Sequence, residues 1–159
     1  MIRQANIRQA NINDVRTLVE LSQDYHKQHW MGEGHTKFDP DYTFDNFRTY
    51  IASAQTNVVV AEVPEGLVGY TVGVAVPLHW TKQLRATVIY EYIEKEYRSQ
   101  GIFKQMVDAQ IEWAKSLGCV DIHIGDGATY NGKFSTVAKE MGFPYIGTDA
   151  YRKLNDEQN

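Results

Sequence analysis

Three β-branched, apolar runs follow one another between Asn57 and Ile93 with only short breaks between them. Asn57 to Val63 ends at the turn Pro64-Glu65-Gly66, Leu67 to Val76 ends at a loop around Pro77 to Gln83, and Leu84 to Ile93 resumes the same pattern. Strands joined this closely pair antiparallel, so the middle of the chain predicts a meander. The period then changes. Ile102 to Leu117 carries helical spacing through Met106, Ile111 and Trp113, Gly118 stops it, and Val120 to Ile124 reads as a buried strand. A strand, a helix and a further strand form a crossover unit, which adds one parallel pair to an otherwise antiparallel sheet.

Shorter elements flank this centre. Ile7 to Ala10 reads as a first strand, and Asn13 or Asp14 can cap a helix through Val15, Leu18, Val19 and Ser22 towards His26. Trp30 to His35, with two glycines, breaks that helix. Asp41 or Thr43 can cap a second one, whose apolar face holds Phe44, Phe47 and Ile51. Gly132 to Met141 predicts a shorter helix and Tyr145 to Leu154 final strand material. The expected class is mixed α/β around a twisted central sheet. With 159 residues, 43% of them hydrophobic, a single domain over 1–159 can bury its own core.

Composition also narrows the function. Cys119 is the only cysteine, which leaves neither a disulfide framework nor a cysteine metal site. No signal-like stretch opens the chain and no apolar run approaches a membrane span, so a cytoplasmic protein with no membrane partner is expected. A net charge of -4 disfavours nucleic acid and suits an amine-bearing ligand. His26, His29 and His35 lack a His-Glu-x-x-His pattern, so no metal site is expected.

The junction between the last meander strand and the long helix reads EYRSQGIFKQM, Glu96 to Met106. A helix N-terminus there offers backbone N–H groups and a positive dipole end, which hold phosphate well. Arg98 and Lys104 add charge beside Gly101. Taken alone, the glycine is more simply a tight turn with solvated cations. The run Arg98-x-x-Gly101-x-Phe103, however, resembles the acetyl-CoA pyrophosphate loop of the GNAT superfamily of N-acetyltransferases, usually written R/Q-x-x-G-x-G/A. Downstream, Asn131 followed by Met141-Gly142-Phe143 resembles the family's N…x-G-F signature, and Ile2 to Val19 resembles its opening strand and helix. The resemblance covers nearly the whole chain. It departs at Phe103, where glycine or alanine is usual, and at Ala138, where the family often carries a tyrosine general acid.

The resemblance implies a GNAT fold with helices on both faces of the sheet and a splay between the fourth and fifth strands that receives acetyl-CoA. Tyr92, Ile93, Glu94, Arg98, Ser99, Gln100, Gly101, Ile102, Phe103, Lys104 and Asn131 are the implied cofactor-binding residues. The implied reaction is acetyl transfer to a primary amine of a small molecule or protein, by direct attack in a ternary complex. Glu91 lies two residues before Ile93, hence on the same strand face, and is the leading base; Glu94, on the opposite face, is the fallback. Each has a plainer reading as a charged group on a strand. Tyr130, Ser135 or water can replace the missing acid, Tyr130 being the better guess. Lys133 and Lys139 could reach the adenosine phosphates. Phe103, rotated from Ile102 about the helix, is expected at the cleft edge against pantetheine carbons. Trp30, Glu33 and Phe38 are the expected acceptor-binding residues, since aromatic and acidic groups together suit an ammonium. The rival readings are a non-catalytic CoA-binding regulatory module and an acetyltransferase of a nucleotide or tRNA amine. A homodimer is the assembly to test.

Overall fold

Five strands cross one sheet in the order of the sequence: β1 (Asn6–Gln9), β2 (Thr56–Val63), β3 (Gly66–Pro77), β4 (Leu84–Ile93) and β5 (Asp121–Ile124). The computed structural model of the protein describes residues 4–29, 36–125 and 134–144. Neighbours from β1 to β4 are antiparallel and β4–β5 is parallel, as the meander and crossover predict. Four helices complete the described fold: α1 (Val15–Gln28), α2 (Pro40–Ala52), α3 (Ile102–Ser116) and α4 (Phe134–Glu140). None is long and apolar enough to cross a membrane. The expected last strand, Tyr145 to Leu154, lies outside the described residues.

The helices divide between the two sheet faces. Val58, Val60, Tyr70, Val72 and Tyr92 form one face and pack with Leu18 and Leu21 of α1 and Phe47 of α2. Val59, Ala61, Val68 and Ile93 point the other way, against Ile102, Phe103, Met106 and Val107 of α3, with Val137 of α4 at the margin. This division follows from the two-residue repeat of the strands, which are apolar at nearly every position because both faces are covered.

Several local expectations are corrected. Asp14 holds the N-cap position of α1, as expected, but makes no side-chain cap there; Asn11 caps the short turn before it, its side chain accepting from the Asn13 N–H while Asp14 accepts from the Asn11 N–H at 2.8 Å. Asp39 caps α2 through the Tyr42 N–H, with Pro40 in the first turn, where its missing N–H costs nothing. Phe44 is exposed on α2, leaving Phe47 as its buried anchor. β5 alternates exposed and half-buried residues instead of being buried throughout. Cys119 is half-buried, and burial pushes its thiol up, away from reactivity.

Candidate active site

The parallel pairing of β4 with β5 runs from Arg85–Asp121 to Val88–Ile124 and stops there. At that point the β3–β4 register shifts: Val72 faces Tyr90 and Gly73 faces Val88, so Ile89 is an extra residue in β4. Such a bulge bends its strand and increases twist. Beyond it Ile89 and Tyr90 are exposed, and among the described strands only β3 pairs with the remainder of β4. The sheet therefore opens between β4 and β5 on the side where β4 runs into the Arg98–Gly101 turn.

That turn has the backbone its sequence asks for. Ser99 and Gly101 both adopt positive φ, 62° and 80°. Gly101 is the N-cap residue of α3 and supplies no side-chain cap, and the first helical bond runs from the Gln105 N–H to the Gly101 carbonyl at 3.2 Å. The N–H groups of Ile102, Phe103 and Lys104 thus have no intrahelical acceptor. A Cβ on Gly101 would meet no protein atom within 4 Å, so within the protein itself glycine is needed for its left-handed backbone. An exposed turn, an uncapped helix end and open space beside it fit the pyrophosphate of an acyl-CoA.

The charged side chains behave differently from simple phosphate cations. Lys104 pairs along the helix with Asp108, Nζ to Oδ2 at 2.7 Å, with both groups exposed. Gln100 donates to the Glu96 carbonyl at 3.0 Å. Arg98 Nε donates to the Ile93 carbonyl at 2.8 Å and Arg98 Nη2 to Gln28 Oε1 of α1 at 2.9 Å.

Phe103 contradicts its expected place. It is 5% exposed and belongs to the α3-side core with Ile93, Tyr97 and Met106. The reason is the width of the apolar stripe: Ile102, Phe103, Met106, Val107, Gln110 and Ala114 are all buried. A stripe that wide accommodates two consecutive residues, so a step of about 100° from Ile102 does not bring the ring to the cleft. Only its backbone N–H remains at the helix end.

Glu91 is 4% exposed and sits opposite Thr71, while Ile93 sits opposite Gly69. Glu91 and Ile93 therefore share a face, as expected. Glu94, past the end of the strand, lines a cavity of about 430 Å³ between α1 and the ends of the strands, together with Asp24, Glu20 and Glu62. Burial, then the charges of Asp24 and Glu96, raise the Glu94 carboxyl. Across the sheet, burial and then the Glu91 charge push up the phenol of Tyr25, whose ring lies 5.6 Å from that of Tyr92. Ala138 is 1% exposed and Ser135 exposed on α4. Phe38 is half-buried with its ring 5.7 Å from His26, whose Nε2 lies 2.9 Å from Thr36 Oγ1. Trp30, Glu33, Tyr130, Asn131 and Lys133 lie outside the described residues.

Two features escaped the sequence. Gln110 is fully buried on α3, donating to Thr71 Oγ1 at 3.0 Å and to the Asn57 carbonyl at 3.1 Å, while its Oε1 accepts from Asn57 Nδ2 at 3.2 Å. A Cβ on Gly73 would meet Gln110 Oε1 at 2.5 Å, which explains the glycine opposite it. The legible signal was a lone amide within the apolar spacing of α3. Gln28 gave none, because its partners are 64 and 70 residues away.

Among curated proteins, none matches the chain. Solved structures match its whole fold. A transcriptional regulator from Bacillus halodurans C-125 aligns with TM-score 0.74 at 22% identity, covering 94% of this chain and 100% of its own. AAC(6')-Iy, solved with a bisubstrate analogue of CoA and acetylneamine, aligns with TM-score 0.73 at 17% identity over 94% of this chain and 98% of its own. The aminoglycoside antibiotic 6'-N-acetyltransferase AAC(6')-Ih from Acinetobacter baumannii aligns with TM-score 0.70 at 17% identity over 96% and 99%. Identities this low establish the fold. The sequence itself goes further, because the model of the acetyltransferase (GNAT) family matches residues 16–143, a span that holds the bulged β4, the positive-φ turn and α3. The chain belongs to the GNAT family of acetyltransferases and is an acyltransferase.

Proposed function

We propose that the protein transfers an acetyl group from acetyl-CoA to a primary amine by direct attack within a ternary complex. One observation carries the reading: an uncapped α3 N-terminus behind the Ser99–Gly101 turn, beside the open edge of β4. Acetyl-CoA, when bound, supplies a thioester already activated for transfer. The backbone N–H groups of Ile102, Phe103 and Lys104 hold its pyrophosphate, and Tyr92 to Glu94 orient its pantetheine arm along β4. Asn131 is the proposed amide contact to that arm.

Glu91 takes the proton that the attacking ammonium must lose, directly or through a water. Its buried position makes it a base shielded from bulk solvent. The amine nitrogen forms the new bond to the acetyl carbon as the carbon–sulfur bond breaks, and the electron pair leaves on sulfur. A thiol has an ordinary pKa of about 8.5, so departure as thiolate needs little protonation. That tolerance suits a chain with buried Ala138 at the family's tyrosine position; Tyr130, Ser135 or water fills the role. Trp30, Glu33 and Phe38 form the acceptor lip, and an amine of the aminoglycoside, polyamine or peptide N-terminal kind is the class to assay.

The test is turnover of acetyl-CoA with sisomicin, spermine and an alanine-initiated peptide as acceptors, followed by free thiol release. Acceptor-dependent release with at least one of them supports the reading. Saturable acetyl-CoA binding with no release from any primary amine would instead favour a CoA-binding regulatory role.

A further inference from the structure

The geometry points to Arg98 as a positioning residue that clamps the cofactor turn to the last turn of α1, so that occupation of one site reaches the other. The inference rests on the acetyl-CoA reading above and deepens it. A guanidinium on a phosphate-binding turn would ordinarily be read as a charge for the ligand. Here two of its five donors, along one edge of the fork, are committed elsewhere. Nε donates to the Ile93 carbonyl at 2.8 Å, Nη2 donates to Gln28 Oε1 at 2.9 Å, and the group lies 5.7 Å from the centroid of the Tyr92 ring. Gln28 closes the arrangement by donating from Nε2 to Tyr92 Oη at 3.0 Å. The orientation of the Gln28 amide is fixed by chemistry: arginine only donates, so the carbonyl oxygen must face it and the NH₂ must face the phenol. Tyr92 is 2% exposed and anchored in the α1-side core, so the clamp is held at a rigid point of the sheet.

Three consequences follow from this placement. First, Ile93 belongs to the stretch of β4 that lies past the β5 pairing, so Arg98 sits on a carbonyl beside the expected pantetheine path. A carbonyl has two lone pairs, and Arg98 five donors, so each retains capacity for the cofactor. Second, Gln28 is the last residue of α1, and two residues earlier His26 contacts Thr36 and Phe38. The same helical turn thus holds the cofactor side through Gln28 and a proposed acceptor residue through His26. Third, lysine cannot reproduce the arrangement, because a single ammonium cannot span the Ile93 carbonyl, the Gln28 amide and the Tyr92 ring in the planar geometry of the fork. Ordering the turn with acetyl-CoA should therefore tighten the end of α1.

Hydrogen exchange of the full-length protein, with acetyl-CoA as the probe, tests this. Saturating acetyl-CoA should slow exchange of the amides of residues 26–29 in the wild type by about fivefold, the low end of ordinary coupling between sites. Gln28→Leu should abolish that slowing while the acetyl-CoA dissociation constant stays within about twofold, and Arg98→Lys should abolish it too despite keeping the charge. Leucine is at least as good a helix former as glutamine, so lost protection would not reflect a weaker helix. Retained slowing in either variant overturns the clamp. If wild-type protein does not bind acetyl-CoA, the cofactor reading fails separately. The clamp is then judged on unliganded protein, where Gln28→Leu must speed exchange at 26–29 and equal rates overturn it.

Discussion

Phe103 shows how one side chain can belong to two accounts. Its backbone N–H stands at the α3 N-terminus, while its ring fills the core between β4 and the helix. Phe103→Ala should cost about 3–5 kcal/mol of stability, as a buried aromatic truncation does. Acetyl-CoA affinity, measured at a temperature where the variant remains folded, should be unchanged because the phosphate donor is main chain. A stable variant with weakened cofactor binding would return the ring to the cleft. Glu91 carries the opposite expectation. Glu91→Gln keeps the shape of a buried side chain and removes its basicity, so turnover should fall by about a hundredfold near neutral pH with acetyl-CoA binding intact. The deficit should shrink as pH rises and the free amine becomes abundant. A pH-rate profile parallel to the wild type would make Glu91 structural. Both residues were named from the sequence, but strand parity placed Glu91 correctly while helix rotation misplaced Phe103. Parity in a strand has two outcomes, whereas a wide apolar stripe leaves the angle of a helix open.

Elements were legible in proportion to how locally their causes act. The β2–β4 meander and α3 follow from runs and turns within a few residues, and their observed bounds lie close to those expected. The bulge at Ile89 was not legible, because it depends on a register shift against β3. Nor was the junction of β1 with α1. There Arg8 makes a two-pronged contact with Asp14, Nη1 to Oδ2 at 2.8 Å and Nη2 to Oδ1 at 2.9 Å, while its Nε reaches Glu62 at 2.9 Å. The Arg8 hydrogen bonds hold the Asp14 carboxyl below the usual range against an opposing effect of burial, and the Asn11 N–H adds to them. A depressed folded-state value means the stabilisation is complete above the unfolded pKa of about 4 and is lost as pH falls through the folded value. Asp14→Asn should therefore lower the urea midpoint at about pH 6 and leave a smaller difference from wild type at about pH 2. An equal difference at both pH values would remove Asp14 from the acid sensitivity of the fold.

At the scale of the whole molecule, the sheet brings together what no local motif contains: a bulged β4, a helix end without a cap, and an α1 terminus tied to both through Arg98 and Gln28. The family match over residues 16–143 spans all of them. The acceptor side was the least legible, since Trp30 and Glu33 belong to a segment with no motif. On the proposed function, this architecture binds acetyl-CoA at the α3 N-terminus. Thermal unfolding across an acetyl-CoA titration tests it most directly, with Gly101→Val as the comparison because valine is strained at the positive φ of Gly101. The wild type should gain about 2.7 kcal/mol at a hundredfold excess over the dissociation constant, and a folded Gly101→Val variant should gain far less. A wild-type melting temperature that stays flat into millimolar acetyl-CoA, or an equal gain in Gly101→Val, would contradict the account.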